Sequence, residues 1–475
     1  MTHRRTTTAV VMVTSLAAIT AGVWGLSKWR PFENDSADLD WPENVQPLID
    51  YIEATSDLRF RNSIDFDYLP GMSYDIEARD PVQDFSAEDL AEIETEEAIG
   101  RALGLWAGET SLGDSINTIN SAAPRPVRWF PDDNVVLIKA SNEESTLPAY
   151  VRADLVVYLT QALVEQNFHL LDRLESAATS QEYEAAAAVY IGFALWVHDQ
   201  YIDDLDVDDT EEYQFDSAQQ NGEYADTVVA IPATFLAIRI GFQVLGPGFV
   251  AAIDEDNPAL VLRALRDRVP VAMDQISLPA AKYLRNDAPE AVEEPPGPNL
   301  ATIRVSDQLG PFRLYLMFAT GLPANDALTA SDGWGNDRYT AYELNGRVCV
   351  DVHIVADSPA DADRMDTAMN RWALARPAAA DVLVGRDGVN LYASVCDPGA
   401  AADQSIANDD DIEQYFGRGA LLRQHALDTG KPALAECIAV ELYGQFTVDE
   451  ISYASSDIDI DAEFAAIEEE CRNSV

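Results

Sequence analysis

Histidine and cysteine are scarce in this chain of 475 residues, five of the first and four of the second. No two of either stand at metal-ligand spacing, which excludes zinc fingers and redox C-x-x-C motifs. Basic residues are few as well: 31 Lys and Arg face 82 Asp and Glu, a formal charge of −51. Phosphate backbones repel such a chain, so nucleic-acid binding through basic patches is excluded, and the same charge argues against docking on an anionic leaflet. There is no G-x-S-x-G elbow, no P-loop and no internal repeat. Apolar residues, by contrast, make up 47% of the chain and aromatics 9%, enough to build cores rather than a disordered polymer. At this length two or three domains are expected.

The first segment reads as an address. Arg4 and Arg5 precede an apolar stretch from Ala9 to Leu26, which Lys28 and Arg30 close. As a helix this stretch reaches about 27 Å, near the hydrocarbon thickness of a bilayer. Trp24 and Trp29 suit a membrane interface, and no small-x-small cleavage site follows. Residues 1–30 are therefore expected to be an uncleaved signal-anchor, giving single-pass attachment to the cell membrane with the soluble region extracytoplasmic. Secretion after cleavage is the alternative.

The cysteines support that side of the membrane. Cys349 in RVCVDVHIV and Cys396 in VNLYASVC lie in alternating, β-branched runs that read as strands. Cys437 and Cys471 lie in two helical stretches, LAECIAVELYGQF and EFAAIEEECRNSV. Bridges 349–396 and 437–471 are expected, one of three possible connectivities. Four cysteines, all downstream of an apolar leader, favour an oxidising compartment.

Composition organises the rest. Residues 31–94 read as an acidic, irregular lead-in. A helical pattern runs from Glu94 to Leu112, and PRPVRWFPDDNVVLIKAS reads as strand, Asp-Asp turn, strand. Two strong helices follow, over 150–174 and about 181–204. The run 203–216, DDLDVDDTEEYQFD, reads as a solvated acidic loop; it lacks the spacing of a calcium loop, and whether it binds calcium is left open. Further helices are expected near 226–252 and 257–268. The segment 290–300 reads as a Pro-rich linker. Beyond it, 301–400 reads strand–helix–strand–strand–helix–strand, and 401–475 is mainly helical. The acidic runs DDDIE (409–413) and SSDIDIDAEF (455–464) read as helix starts, where carboxylates favour the dipole.

The run LVVYLTQALVEQNFHLLDRL resembles the metal-binding helix, H-E-L-T-H-A-L-Q-D-Q-H-F, of a family of bacterial, largely actinobacterial, neutral zinc metallopeptidases. Leu159, Thr160, Ala162, Leu163, Gln166 and Phe168 match it, and Glu165 stands for the Asp. FPDDNVVLIKAS is similar to the strand turn before that helix, and AAAAVYIGFALWVHDQY stands in the place of the second helix, A-L-V-E-G-x-A. GPGFVAAI, MDQISLPAAKYL and SDGWGNDRYTAYE resemble three later segments in the same order, so the likeness covers about residues 95–398. It implies an α+β fold: a zincin-like helical domain with a degenerate metal helix over 95–289, then a disulfide-containing α+β unit and a helical C-terminal tail.

The departures from that pattern decide the expected function. A zinc peptidase needs two His one turn apart and a Glu beside the first to deprotonate the bound water. Those places hold Val157, Gln161 and Tyr158, and the third ligand, a Glu of the second helix, falls on Ile191. Val and Ile offer no lone pair, and Gln161 alone cannot hold zinc. His169 lies eight residues beyond Gln161, about 12 Å along the axis, too far to share an ion. His198 and His353 are likewise read as hydrogen-bonded rather than metallated, and Tyr158 as core packing. Val157 and Ile191 read as apolar filling, worth roughly 3–6 kcal/mol if both are buried. Asp337 and Arg338 in the GWGNDR segment read as a structural pair at a tight turn.

The leader and the cysteines, together with the resemblance, thus point to a membrane-anchored, extracytoplasmic pseudo-metallopeptidase. It would be non-catalytic, with no metal or cofactor, and would act by binding a protein or peptide partner. An active hydrolase with an unrecognised ligand set and a structural envelope protein are the alternatives. The charge, spread through the whole chain, reads as a device for solubility in salt.

Overall fold

The computed structural model describes residues 39–79, 82–122, 125–298, 301–452 and 459–475; the expected signal-anchor over 1–30 lies outside them. In chain order the elements begin with α1 (Gln46–Ser56), β1 (Asp65–Leu69), α2 (Gly71–Glu77), α3 (Ala87–Leu103), α4 (Leu112–Ser121), β2 (Val127–Phe130) and β3 (Val135–Lys139). Then come α5 (Ala149–Phe168), α6 (Leu170–Glu175), α7 (Ser180–Asp203), α8 (Val207–Val228), α9 (Ala233–Asp256), α10 (Pro258–Arg266) and the short α11 (Asp274–Ser277), followed by a π-helical turn, Pro279–Tyr283. The last part holds β4 (Thr302–Asp307), α12 (Gly310–Ala319), α13 (Ala324–Ser331), β5 (Trp334–Leu344), β6 (Arg347–Ala356), α14 (Pro359–Ala375), β7 (Leu383–Asp387) and β8 (Asn390–Cys396). Four helices close it: α15 (Asp409–Thr429), α16 (Pro432–Gln445), α17 (Val448–Ser452) and α18 (Ile460–Ser474). The fold class is α+β.

The chain divides into two units, each assembled from separated segments. The first takes in the described residues up to Asp89 with Gly113–Arg173 and Phe193–Ile231; the second holds Leu90–Leu112, Leu174–Gly192 and Pro232–Val475. The boundaries drawn from composition at 94/95 and 289/290 do not coincide with this division.

In the first unit β2 and β3 form the expected hairpin, antiparallel from Val127↔Ile138 to Phe130↔Val135. Asn134 accepts the left-handed backbone (φ 52°) that closes the turn. The lead-in is not irregular: β1 pairs in parallel with β3 from Asp65↔Val135 to Leu69↔Lys139, giving the order β1-β3-β2. Helix α5 packs on this sheet, with Leu155, Val156, Leu159, Ala162, Leu163 and Val164 buried. It ends sooner than expected, because His169 takes the left-handed C-cap (φ 53°) and its N–H bonds to the Glu165 carbonyl.

The acidic run after α7 is a helix, not a loop. Asp206 caps α8 by accepting from the Asp209 N–H at 3.0 Å, and Asp208 and Asp209 sit in its first turn, where the dipole favours them. Two of its acids bond to α5: Arg152 donates to Asp209, and the Ala149 N–H at the start of α5 donates to Glu212 at 3.0 Å.

In the second unit five antiparallel strands lie in the order β4-β5-β6-β8-β7. The strand β7 and the helix α13 were not expected. Four of the five β7 residues are exposed, so this edge strand shows no apolar alternation to read. The GWGNDR segment is not a tight turn but the start of β5, with a bulge between Trp334 and Asn336. Consecutive strand residues point to opposite faces, so Asp337 and Arg338 do not pair with each other. Asp337 instead accepts the Leu309 and Gly310 N–H groups at the start of α12, at 2.7 and 2.8 Å, and the Trp334 indole at 2.8 Å. Burial pushes its pKa up to about 6 against those three donors.

Helices α12 and α14 pack on the sheet, and α9 packs on α15. Helix α9 is long and apolar enough to span a bilayer, yet 72% of that window is buried inside the protein, as befits a core helix. It crosses α7 backbone to backbone, because Gly192 and Gly246 leave no Cβ between them. Both expected disulfides are present. Cys349 stands directly opposite Cys396 on neighbouring strands, and Cys437 of α16 joins Cys471 of α18.

Candidate functional site

On α5 the residues Asp154, Tyr158 and Gln161 recur every three or four positions and so share one face. All three are buried. Asp154 is 2% exposed; its Oδ1 accepts from Arg125 Nη1 at 3.1 Å, and its Oδ2 has no hydrogen-bond partner. Burial raises the Asp154 pKa, and the Arg125 charge opposes that rise. The guanidinium, whose side chain is 52% exposed, also donates to the Tyr150 hydroxyl at 3.4 Å.

Tyrosines surround the pair. Tyr74 donates to the Arg125 carbonyl at 2.5 Å. The Tyr150 and Tyr213 rings lie 6.2 Å apart. Tyr213 OH lies 3.4 Å from His198 Nε2, and Asp199 Oδ1 is 3.1 Å from the other ring nitrogen. Burial raises the phenol pKa of Tyr74, Tyr150 and Tyr213, so these groups keep their protons at neutral pH. Tyr158 is close enough to interact with Tyr74, Arg125 and Tyr150.

The positions to which the resemblance assigns chemistry thus carry other groups. Tyr158, at the position to which the resemblance assigns a general base, stands beside Tyr74, Arg125 and Tyr150 and carries a phenol in place of a carboxylate. Gln161 is buried one turn further on; Val157 is only half-buried, so less apolar surface is covered there than full core filling implies. Ile191, also buried, belongs to the second unit. Among the described residues no three His, Cys, Asp or Glu side chains converge closely enough to hold a metal ion, the acidic helix α8 included. The histidines make hydrogen bonds: His198 as above, and His353 with the Glu293 carbonyl at 3.0 Å and Asn390 Oδ1 at 2.9 Å.

Two charge clusters in the second unit escaped the sequence reading. In one, Glu184 of α7 pairs with Arg313 of α12 at 2.6 Å. Asp307 accepts the Ser180 N–H at 2.8 Å and interacts with Arg313 and Glu184. In the other, the π-helical turn buries Lys282, whose side chain is 7% exposed. Its Nζ lies 2.5 Å from Asp357, 3.2 Å from Asp287 and 3.5 Å from Asp274. Of the second cluster only Lys282, a charge breaking the apolar run SLPAAKYL, is signalled in the sequence; Asp274 and Asp287 are near it in the chain, but Asp357 comes from a distant segment.

A family model described as a domain of unknown function (DUF8575) matches residues 301–410. That span runs from β4 through β8 to the first residues of α15. No curated protein and no solved structure matches the chain.

Proposed function

We propose that this chain is a membrane-anchored, extracytoplasmic, non-catalytic relative of zinc metallopeptidases that acts by binding a protein or peptide. The observation that carries the reading is the face of α5. Where two His and a Glu would assemble a hydrated zinc ion, Val157, Tyr158 and Gln161 stand, and Tyr158 joins a tyrosine cluster organised by the Asp154–Arg125 pair. At the positions the resemblance assigns to the two His and the Glu, Val157 offers no lone pair, Gln161 no imidazole and Tyr158 no carboxylate. The two disulfides favour an oxidising compartment.

The test is the metal content of the full chain purified without chelator, together with cleavage of a casein-type substrate. We expect zinc far below one equivalent and no chelator-sensitive cleavage. About one zinc per chain, with hydrolysis that stops on chelation, would overturn the reading.

A further inference from the structure

Residues 290–298, the described part of the expected Pro-rich linker over 290–300, are laid along the face of the five-stranded sheet away from α14. Glu290 N–H donates to the Gly335 carbonyl at 3.0 Å and its own carbonyl accepts from Asn336 Nδ2 at 2.5 Å. Thr340 Oγ1 donates to the Pro295 carbonyl at 2.6 Å, and His353 holds the Glu293 carbonyl. Pro295, Pro296 and Pro298 have no N–H, so this strap cannot extend a β-ladder and covers the sheet only in part.

Beside the strap a groove of about 550 Å³ remains open, within the range of ligand sites. Strand alternation puts Tyr342, Asp351, His353, Tyr392 and Ser394 on its floor. Two pairs among these are fixed in place. Tyr342 OH donates to Asp351 Oδ1 at 3.0 Å, and the His353 ring stacks on Tyr392 at 4.7 Å. Tyr392 is 43% exposed, and Leu383 on the far wall is 71% exposed. Three carboxylates line the groove, Glu293 and Glu294 on the strap and Asp351 on the floor, with no lysine or arginine among the lining residues.

We infer that this groove is a docking site for an extended, arginine-bearing segment of a partner polypeptide. A guanidinium lies flat on an aromatic face and pairs with carboxylates in the same plane, which a compact ammonium does less well. The acidic residues come from two different elements of the groove, the strap and the floor, which suits a peptide with more than one cation rather than a single small molecule. The inference goes beyond the metallopeptidase-like reading: its residues all lie in the second unit, and it stands or falls whatever the zinc content.

The experiment is fluorescence anisotropy of a labelled octapeptide of alternating arginine and glycine, titrated with the full-length chain in detergent. Its glutamate counterpart and free arginine amide serve as comparison ligands. Saturable binding of the arginine peptide is expected, at least about tenfold tighter than either comparison. Asp351→Asn, which keeps the Tyr342 hydrogen bond, and Tyr392→Ala should each weaken it at least about fivefold. Asp428→Asn, which removes one charge from the exposed face of α15, should leave it unchanged. No binding, equal losses in all three variants, or unaltered affinity in Asp351→Asn and Tyr392→Ala would overturn the inference; equal losses would mean that bulk charge does the binding.

Discussion

Replacing Lys282 with methionine removes the ammonium from among three carboxylates and leaves Asp274 buried with no cation. Asp274 is 4% exposed, and one of its oxygens already has no hydrogen-bond partner. Burial pushes its pKa up to about 7, against the pull of Lys282. Folding therefore raises this pKa above its unfolded value near 4. The stability Asp274 contributes is fully present below about pH 4 and is lost as pH rises through about 7. Without Lys282 the pKa climbs further.

At pH 5 Asp274 holds its proton with or without the ammonium. At pH 8 the natural chain ionises it against Lys282, whereas the variant must keep the proton or bury a bare carboxylate. One pKa unit corresponds to about 1.4 kcal/mol. The loss should thus be about 3–5 kcal/mol at pH 8, and smaller at pH 5 by at least about 1 kcal/mol. Asp287, half-exposed, adds little. Urea unfolding of both chains at pH 5 and pH 8, followed by tryptophan fluorescence, measures the difference. Adding Asp274→Asn to the variant should remove most of the pH dependence. A loss equal at both pH values, or larger at pH 5, would refute the reasoning.

The Asp154–Arg125 pair should behave in the same sense. Arg125→Met is expected to cost about 1–3 kcal/mol, the half-exposed guanidinium being screened. The loss should be greater at pH 8 than at pH 5, because the Asp154 pKa is raised by burial and loses its opposing charge; Asp154→Leu on that background should recover most of it in the same unfolding assay. Glycines give a contrast between helices. A Cβ added to Gly192 would lie 2.4 Å from the Gly246 carbonyl carbon, so Gly192→Ala should destabilise by about 1–3 kcal/mol or more. Gly222→Ala meets nothing within 4 Å in the middle of α8, so it should stabilise by about 0.5–1 kcal/mol; equal thermal midpoints for the two would contradict the described crossing.

Local patterns determined much of this protein by themselves. The β2–β3 hairpin, α7 and the capped start of α15 follow from short-range alternation, helical period and turn chemistry, each complete within a few neighbouring residues; the cysteines announced two bridges, but which sulfurs meet depends on elements 47 and 34 residues apart. The residue types at Val157, Tyr158, Gln161 and Ile191, on which the proposed absence of metal-ligand chemistry rests, are equally a matter of sequence. Tertiary structure decided what depends on partners from afar. β1 became a strand because β3 offered it an edge, and the acidic run 207–216 became part of α8 once Asp206 capped it and α5 used its carboxylates. The proline-rich segment became a strap because Asn336, Thr340 and His353 hold its carbonyls. Buried charge is the clearest case: Asp154, Lys282 and Asp337 have a meaning only beside Arg125, Asp357 and the start of α12, since desolvation makes an ionised group tolerable only where the fold brings its partner into contact.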